Sequence, residues 1–184
     1  SSYSHRFDEV ILSLPKGRKL QAITVSANRG QTTIINASLE NATLNTNGYL
    51  LRIEGSRIKN SKFTTPNIIN IFKTELTDSQ VKTEGRHLHV EDIQIHGKVE
   101  LDSHNDLTLF LSKTEFDRIN LDISSKHGGI YRKAQREHPR QKENELANPY
   151  TTEKADVKDL LIIKANQDIY LPKEEEYSAP PRNH

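Results

Sequence analysis

Apolar and polar positions along this chain recur with a long period. From Thr32 five segments align, beginning at Thr32, Leu51, Ile69, Leu88 and Leu107, in steps of 19, 18, 19 and 19 residues. Four of the units open with apolar residues two apart, Leu51/Ile53, Ile69/Ile71, Leu88/Val90 and Leu107/Leu109. That period puts both side chains on one face of a strand and leaves the other face free to be polar. Further apolar residues follow near the eighth and thirteenth places: Leu39 and Leu44, Ile58 and Phe63, Leu76 and Val81, Ile95 and Leu101, Phe116 and Ile119. β-branched residues, Asn and Thr dominate, and the spacing is 2 and about 5 rather than 3 to 4, so the pattern predicts strands and not helices. Each unit closes on turn-forming residues, such as Asn47-Gly48, Pro66-Asn67, Glu84-Gly85 and His104-Asn105.

Strands at this spacing fit an antiparallel sandwich or a β-solenoid, but only stacked windings explain like residues at like places in successive units. The column Ile34, Ile53, Ile71, Val90, Leu109 and the column Thr46, Thr65, Thr83, Asp102 favour stacking. The sequence therefore predicts an all-β domain, a short parallel β-solenoid with about 19 residues per coil, over residues 7–171. Residues 32–125 supply the repeats, residues 7–31 an N-terminal pair of strands joined by Pro15-Lys16-Gly17, and residues 157–171 a C-terminal pair. These pairs are expected to cap the rod. Residues 132–156 hold one aliphatic side chain larger than Ala, Leu146, and read as a polar excursion. Residues 1–6 and 172–184 read as disordered termini.

Composition narrows the function classes. With 26 Lys+Arg against 25 Asp+Glu the net charge is +1, which disfavours a nucleic-acid binder. Zero Cys removes disulfides, thiolate metal sites and cysteine nucleophiles. No apolar run reaches the roughly 18 residues of a membrane span. No phosphate-cradling glycine loop or nucleophile elbow is present, and no cofactor is expected.

The segments LPKGRKLQAITVSANRG, TTIINASLENATLNT, LDISSKHGGIYRK and DLLIIKANQDIYL resemble a bacterial adhesin-type family of β-strand-repeat domains of unknown function. The likeness covers roughly residues 7 to 171. It implies an extracytoplasmic domain at the cell surface, tethered by a membrane segment outside residues 1–184. It also implies a non-enzymatic binding or scaffold role toward an envelope component, a surface polymer or another protein. The competing classes are a carbohydrate-active β-helix enzyme, for which Asp102, Asp106, Asp117 and Asp122 would supply carboxylates, and a pentapeptide-type solenoid, suggested by Ile53, Ile58, Phe63 and Ile68.

Three groups of residues could carry chemistry. With Leu88 and Val90 inward, His87, His89 and Glu91 point outward about 6.6 Å apart, a donor set suited to a divalent transition metal, although any half-exposed strand alternates in this way. Arg132, Lys133, Arg136, Arg140 and Lys142 form a basic stretch that could meet anionic headgroups in a peripheral membrane contact, anionic surface polymers or an acidic protein patch. Phe72 and Phe110 fall outward at one position of their coils, with Glu54 and Glu91 in the same column, and could anchor a partner.

Overall fold

The structure is a computed structural model that describes residues 30–46, 48–133 and 144–172, together with the strands Ser2–Ser4, Glu9–Ser13, Lys19–Gln21 and Thr24–Ser26. In chain order the strands are β1 (Ser2–Ser4), β2 (Glu9–Ser13), β3 (Lys19–Gln21), β4 (Thr24–Ser26), β5 (Gln31–Ile35), β6 (Ser38–Glu40) and β7 (Thr43–Asn45). They continue with β8 (Leu50–Glu54), β9 (Arg57–Lys59), β10 (Lys62–Thr65), β11 (Ile68–Phe72), β12 (Glu75–Thr77), β13 (Gln80–Thr83), β14 (His87–Glu91), β15 (Gln94–His96) and β16 (Lys98–Ser103). After β17 (Asp106–Phe110) come helix α1 (Lys113–Arg118), β18 (Asn120–Ser125), β19 (Ile130–Lys133), β20 (Glu145–Leu146), β21 (Tyr150–Thr152), β22 (Leu160–Ala165) and β23 (Ile169–Pro172).

Every third strand stacks on the one before it. Sheet 1 runs β2-β5-β8-β11-β14-β17-β23-β19-β20, sheet 2 runs β3-β6-β9-β12-β15, and sheet 3 runs β1-β4-β7-β10-β13-β16-β22-β18-β21. This is the predicted parallel β-solenoid, triangular in section. The column Ile34, Ile53, Ile71, Val90, Leu109 lines up residue on residue, each at most 1% exposed. Leu39, Ile58, Leu76 and Ile95 form a second aliphatic column, and Leu44, Phe63, Val81 and Leu101 a third. Three such columns make the core.

Two of the three corners are built by one device. Asn36, Gly55, Lys73 and Asp92 all take positive φ, as do Asn41, Asn60, Asp78 and Gly97 five places later. Asn, Asp and Gly tolerate that left-handed turn best, which is why they recur here. The N–H of each first-corner residue donates to the next winding: Asn36 to the carbonyl of Glu54, Gly55 to Phe72, Lys73 to Glu91 and Asp92 to Phe110, at 2.9–3.1 Å. Buried hydroxyls extend the ladder. Ser56 Oγ donates to the Glu54 carbonyl at 2.9 Å and accepts the Ala37 N–H at 3.2 Å, while Ser61 Oγ donates to Lys59 at 2.8 Å and accepts from Ala42 at 3.0 Å. Thr74 and Ser79 repeat the arrangement one winding on. Each hydroxyl satisfies backbone groups that the bend removes from the sheet ladder. The third corner is packed more tightly against its neighbour. A Cβ on Gly85 would stand 1.8 Å from the Pro66 carbonyl oxygen, so only glycine fits.

Several expectations are corrected. The N-terminal strands form a further parallel winding, β2 to β4, instead of a separate cap; its Pro15-Lys16-Gly17 turn and the segment 173–184 lie outside the described residues. The polar column takes Ser103 and not Asp102, because one extra residue follows the Gly97 corner and moves β16 forward by one. In the last unit Ile123, not Ile119, continues the column of Leu101, since α1 occupies the place of a sheet 2 strand. Residues 144–156 of the excursion add β20 and β21, which pair antiparallel with β19 and β18 and finish sheets 1 and 3.

The largest departure concerns β22 and β23. They do not follow the stack but are threaded into it, β22 between β16 and β18, and β23 between β17 and β19, parallel to all four. Helix α1 makes room by climbing past a winding. Its side chains also close the end of sheet 2, where Glu115 Oε1 accepts the Ile95 N–H at 2.8 Å and Arg118 donates to the Ile95 carbonyl. One ion pair thus supplies the acceptor and donor that another strand would have offered, and protects an edge. Arg118 also holds Asp159, whose other oxygen accepts the Gly97 N–H at 2.8 Å and fixes the start of the insert.

The buried side chains Leu161, Ile163 and Ile169 of the insert complete the core columns between flanking windings. Removing residues from Asp159 onward should therefore strip β18 and β19 of their parallel partners. Amide hydrogen exchange should then show Asn120–Lys133 losing protection to near unfolded rates while Gln31–His96 stays protected. Full protection of both regions would contradict the threading.

Candidate functional site

The three outer faces differ in chemistry. Sheet 2 presents Arg57, Lys59, Glu75 and Gln94, and sheet 3 presents Lys62, Gln80, Lys82 and Glu100, exposed or half-buried polar residues, with half-buried Leu160 and Ile162 joining sheet 3 on the threaded β22. Sheet 1 is different. Its outward positions in successive windings are Leu50, Arg52 and Glu54; Ile68, Asn70 and Phe72; His87, His89 and Glu91; then Asp106, Thr108 and Phe110. All are half-buried. Tyr49, just before this face, is 56% exposed.

Parallel register brings these side chains together. Phe72 and Phe110 share a column with Glu91 between them, as the repeat predicts. The His89 ring lies between the two phenylalanines, with its centroid 5.7 Å from each. Arg52 places its guanidinium 5.2 Å from the Phe72 ring centre and pairs with Glu54 at 3.1 Å. Further along, Tyr131 and Tyr170 stack at 5.9 Å, and the Tyr170 hydroxyl donates to Asp168 at 3.1 Å. Burial and the adjacent Asp168 carboxylate push the Tyr170 phenol well above its ordinary range.

The residues considered for a metal, His87, His89 and Glu91, are near neighbours along one strand. All three point outward on β14, yet His87 Nε2 is taken by Thr108 Oγ1 at 3.2 Å and His89 Nε2 by Glu91 Oε2 at 3.1 Å. Among the described residues no three His, Asp or Glu converge to hold a metal ion. Strand neighbours on a flat sheet fan out in parallel, whereas a tetrahedral ion needs its donors to converge. The carboxylates considered for glycan cleavage are dispersed in the same way. Asp102 and Asp122 are on sheet 3, Asp106 is on sheet 1 accepting the Asp168 N–H at 2.9 Å, and Asp117 is on α1 paired with Lys113 at 2.8 Å.

Of the basic stretch, Arg132 is placed at the end of the solenoid. Its guanidinium lies 5.3 Å from the Phe116 ring centre and 5.9 Å from that of Tyr150, and donates to the Tyr150 hydroxyl at 3.0 Å. This arrangement secures β21 and α1 against the core and withdraws Arg132 from the proposed surface contact. Arg136, Arg140 and Lys142, and the side chain of Lys133, lie outside the described residues.

Sequence reasoning found Phe72, Phe110, His87 and His89 on one face but missed Leu50, Ile68 and Arg52. The signal was present in the runs Tyr49-Leu50-Leu51 and Ile68-Ile69, where an apolar residue occupies an outward place beside the inward one.

His87 carries a measurable consequence of this packing. Burial, with His89's charge adding to it, lowers its pKa to about 4. The unfolded chain binds that proton near pH 6.5 and the folded one only near pH 4. Stability should therefore be whole above pH 6.5 and fall as the pH drops between these values. The loss should reach about 3 kcal/mol, and His87→Gln should flatten that part of the urea-midpoint profile. An unchanged slope would contradict the buried, neutral imidazole.

A family model described as Toastrack DUF4097 matches residues 2–171. No curated protein and no solved structure matches the chain. The model spans every winding of the solenoid together with the threaded strands, and the chain accordingly belongs to the Toastrack family DUF4097, a β-solenoid-like repeat domain of unknown function.

Proposed function

We propose that this Toastrack domain is a non-enzymatic binding module of a bacterial cell-surface protein, working outside the cytoplasmic membrane and meeting its ligand through the outer face of sheet 1. The observation that carries this reading is the contrast between faces. Over the windings from β8 to β17, sheets 2 and 3 present charged and polar side chains, with half-buried Leu160 and Ile162 entering sheet 3 only on the threaded β22. Sheet 1 instead presents Leu50 beside Ile68 in one column and the ring row Phe72, His89 and Phe110 next to it, all half-buried. Leaving apolar side chains facing water costs stability without helping the core, and such strips mark contact surfaces. A rigid sheet also suits binding, because little side-chain freedom remains to be lost when a partner arrives. A chain without cysteine tolerates an oxidising exterior, which agrees with the surface location. The envelope role, the adhesin-type class and a tethering membrane segment complete the proposal.

The test uses the purified, fluorescently labelled domain on intact cells and isolated envelopes of the source organism. Binding should fall at least about tenfold for Phe72→Ser with Phe110→Ser, which remove the aromatic anchors, and should be unchanged for Lys62→Ser with Lys82→Ser on sheet 3. Equal binding by both variants, or none by the native domain, would contradict the reading. Digestion of the native protein by protease added to intact cells tests the location; full resistance, with digestion after lysis, would place it inside.

A further inference from the structure

We propose that the sheet 1 face binds a neutral, extended, β-linked polysaccharide chain laid along the solenoid axis. This inference rests on the binding role assigned above and names its ligand class. Phe72, His89 and Phe110 stand one per winding, with ring centroids 5.7 Å apart at each step. The two phenylalanines are therefore about two strand spacings, roughly 9.6 Å, from one another. An extended chain of β-linked pyranoses advances one sugar over a step comparable to the 5.7 Å between neighbouring rings, which are tilted to one another by 46° and 42°. Each sugar then offers an apolar ring face to an aromatic side chain and hydroxyls to the groups beside it. Glu54 and Glu91 alternate with the phenylalanines in their column, and Asn70 lies between Arg52 and His89 in the next. The result is a row of rings flanked by hydrogen-bonding groups.

Charge and area decide against other occupants. Arg52 is balanced by Glu54 at 3.1 Å, Glu91 is held by the His89 ring at 3.1 Å and Asp106 accepts the Asp168 N–H at 2.9 Å, so the strip offers no cationic cluster to a polyanion and its charged groups are already engaged. An uncharged ligand is complementary to it. The row of rings from Phe72 to Phe110 spans two winding steps, roughly 9.6 Å, a footprint suited to a narrow chain and far short of the roughly 800 Å² per partner of a stable protein interface. A second copy of the chain is disfavoured on that ground.

The intact domain is titrated with cellohexaose and chitohexaose, two neutral β-1,4 hexamers, and with an α-1,6 glucose hexamer, by calorimetry and ¹H–¹⁵N NMR. At least one β-linked hexamer should bind and shift the amides of Asn70, Phe72, His89, Glu91 and Phe110. Affinity should weaken about tenfold in Phe72→Ala and in Phe110→Ala. Lys62→Ala on sheet 3 should bind normally. The proposal is overturned if neither β-linked hexamer shifts these amides at millimolar concentration, if the α-linked hexamer binds equally well, or if sedimentation shows the strip buried between two copies. Cell binding that still depends on Phe72 and Phe110 after such a result would leave the binding face standing and remove only the polysaccharide.

Discussion

The structure depends on lateral hydrogen bonding between windings held in strict register. In a parallel stack each backbone group meets its partner about 4.8 Å away in the neighbouring winding, so whatever one winding does at a corner the next must repeat. That constraint accounts for the left-handed residues at Asn36, Gly55, Lys73 and Asp92, and again at Asn41, Asn60, Asp78 and Gly97. The same constraint explains the serine and threonine hydroxyls that bridge one bend to the next. Aliphatic columns follow as a consequence. A narrow core gains most from like side chains interlocking along the axis, and a single slip in register would turn them all outward.

A stack of this kind has ends, and the C-terminal one is closed by the chain itself. At the C-terminal end β20 and β21 turn antiparallel to finish two sheets, while the Glu115–Arg118 pair finishes the third by engaging the Ile95 amide and carbonyl. Threading of β22 and β23 into the stack couples residues far apart in sequence and makes the final windings dependent on the last part of the domain. Contacts at such sequence separation slow folding, because loop closure precedes the gain from pairing. They also tie the last windings, β16 to β19, to one another through the insert, in contrast to a simple array of sequence neighbours.

Much of this was legible in the sequence, and the limits have physical causes. The inward column through Ile53, Ile71 and Val90 was readable because alternation and the repeat period are both local. The pairing of Phe72 and Phe110 with Glu91 followed from the same register. The shift from Asp102 to Ser103 was not readable, since one added residue after Gly97 changes nothing in the apolar pattern nearby. Nor was the position of Leu160–Pro172, because any gap between parallel strands accepts an alternating aliphatic segment and only tertiary closure selects the gap. At the candidate site the sequence placed His87 and His89 outward, but their nitrogens were claimed by Thr108 and Glu91, partners decided by rotamer and register. The binding strip emerged only when outward residues of separate windings were seen side by side.

The central claim is the in-register parallel stack, and distances between windings test it most directly. Because the chain has no native cysteine, nitroxide labels can be placed on engineered cysteines at Lys62 and Gln80, outward partners in adjacent windings, and at Lys62 and Glu100, two windings apart. The account predicts strong dipolar broadening for the first pair and weaker broadening for the second, with backbone separations of about 4.8 Å and 9.6 Å. Comparable or absent broadening in both pairs, in a folded protein, would contradict it.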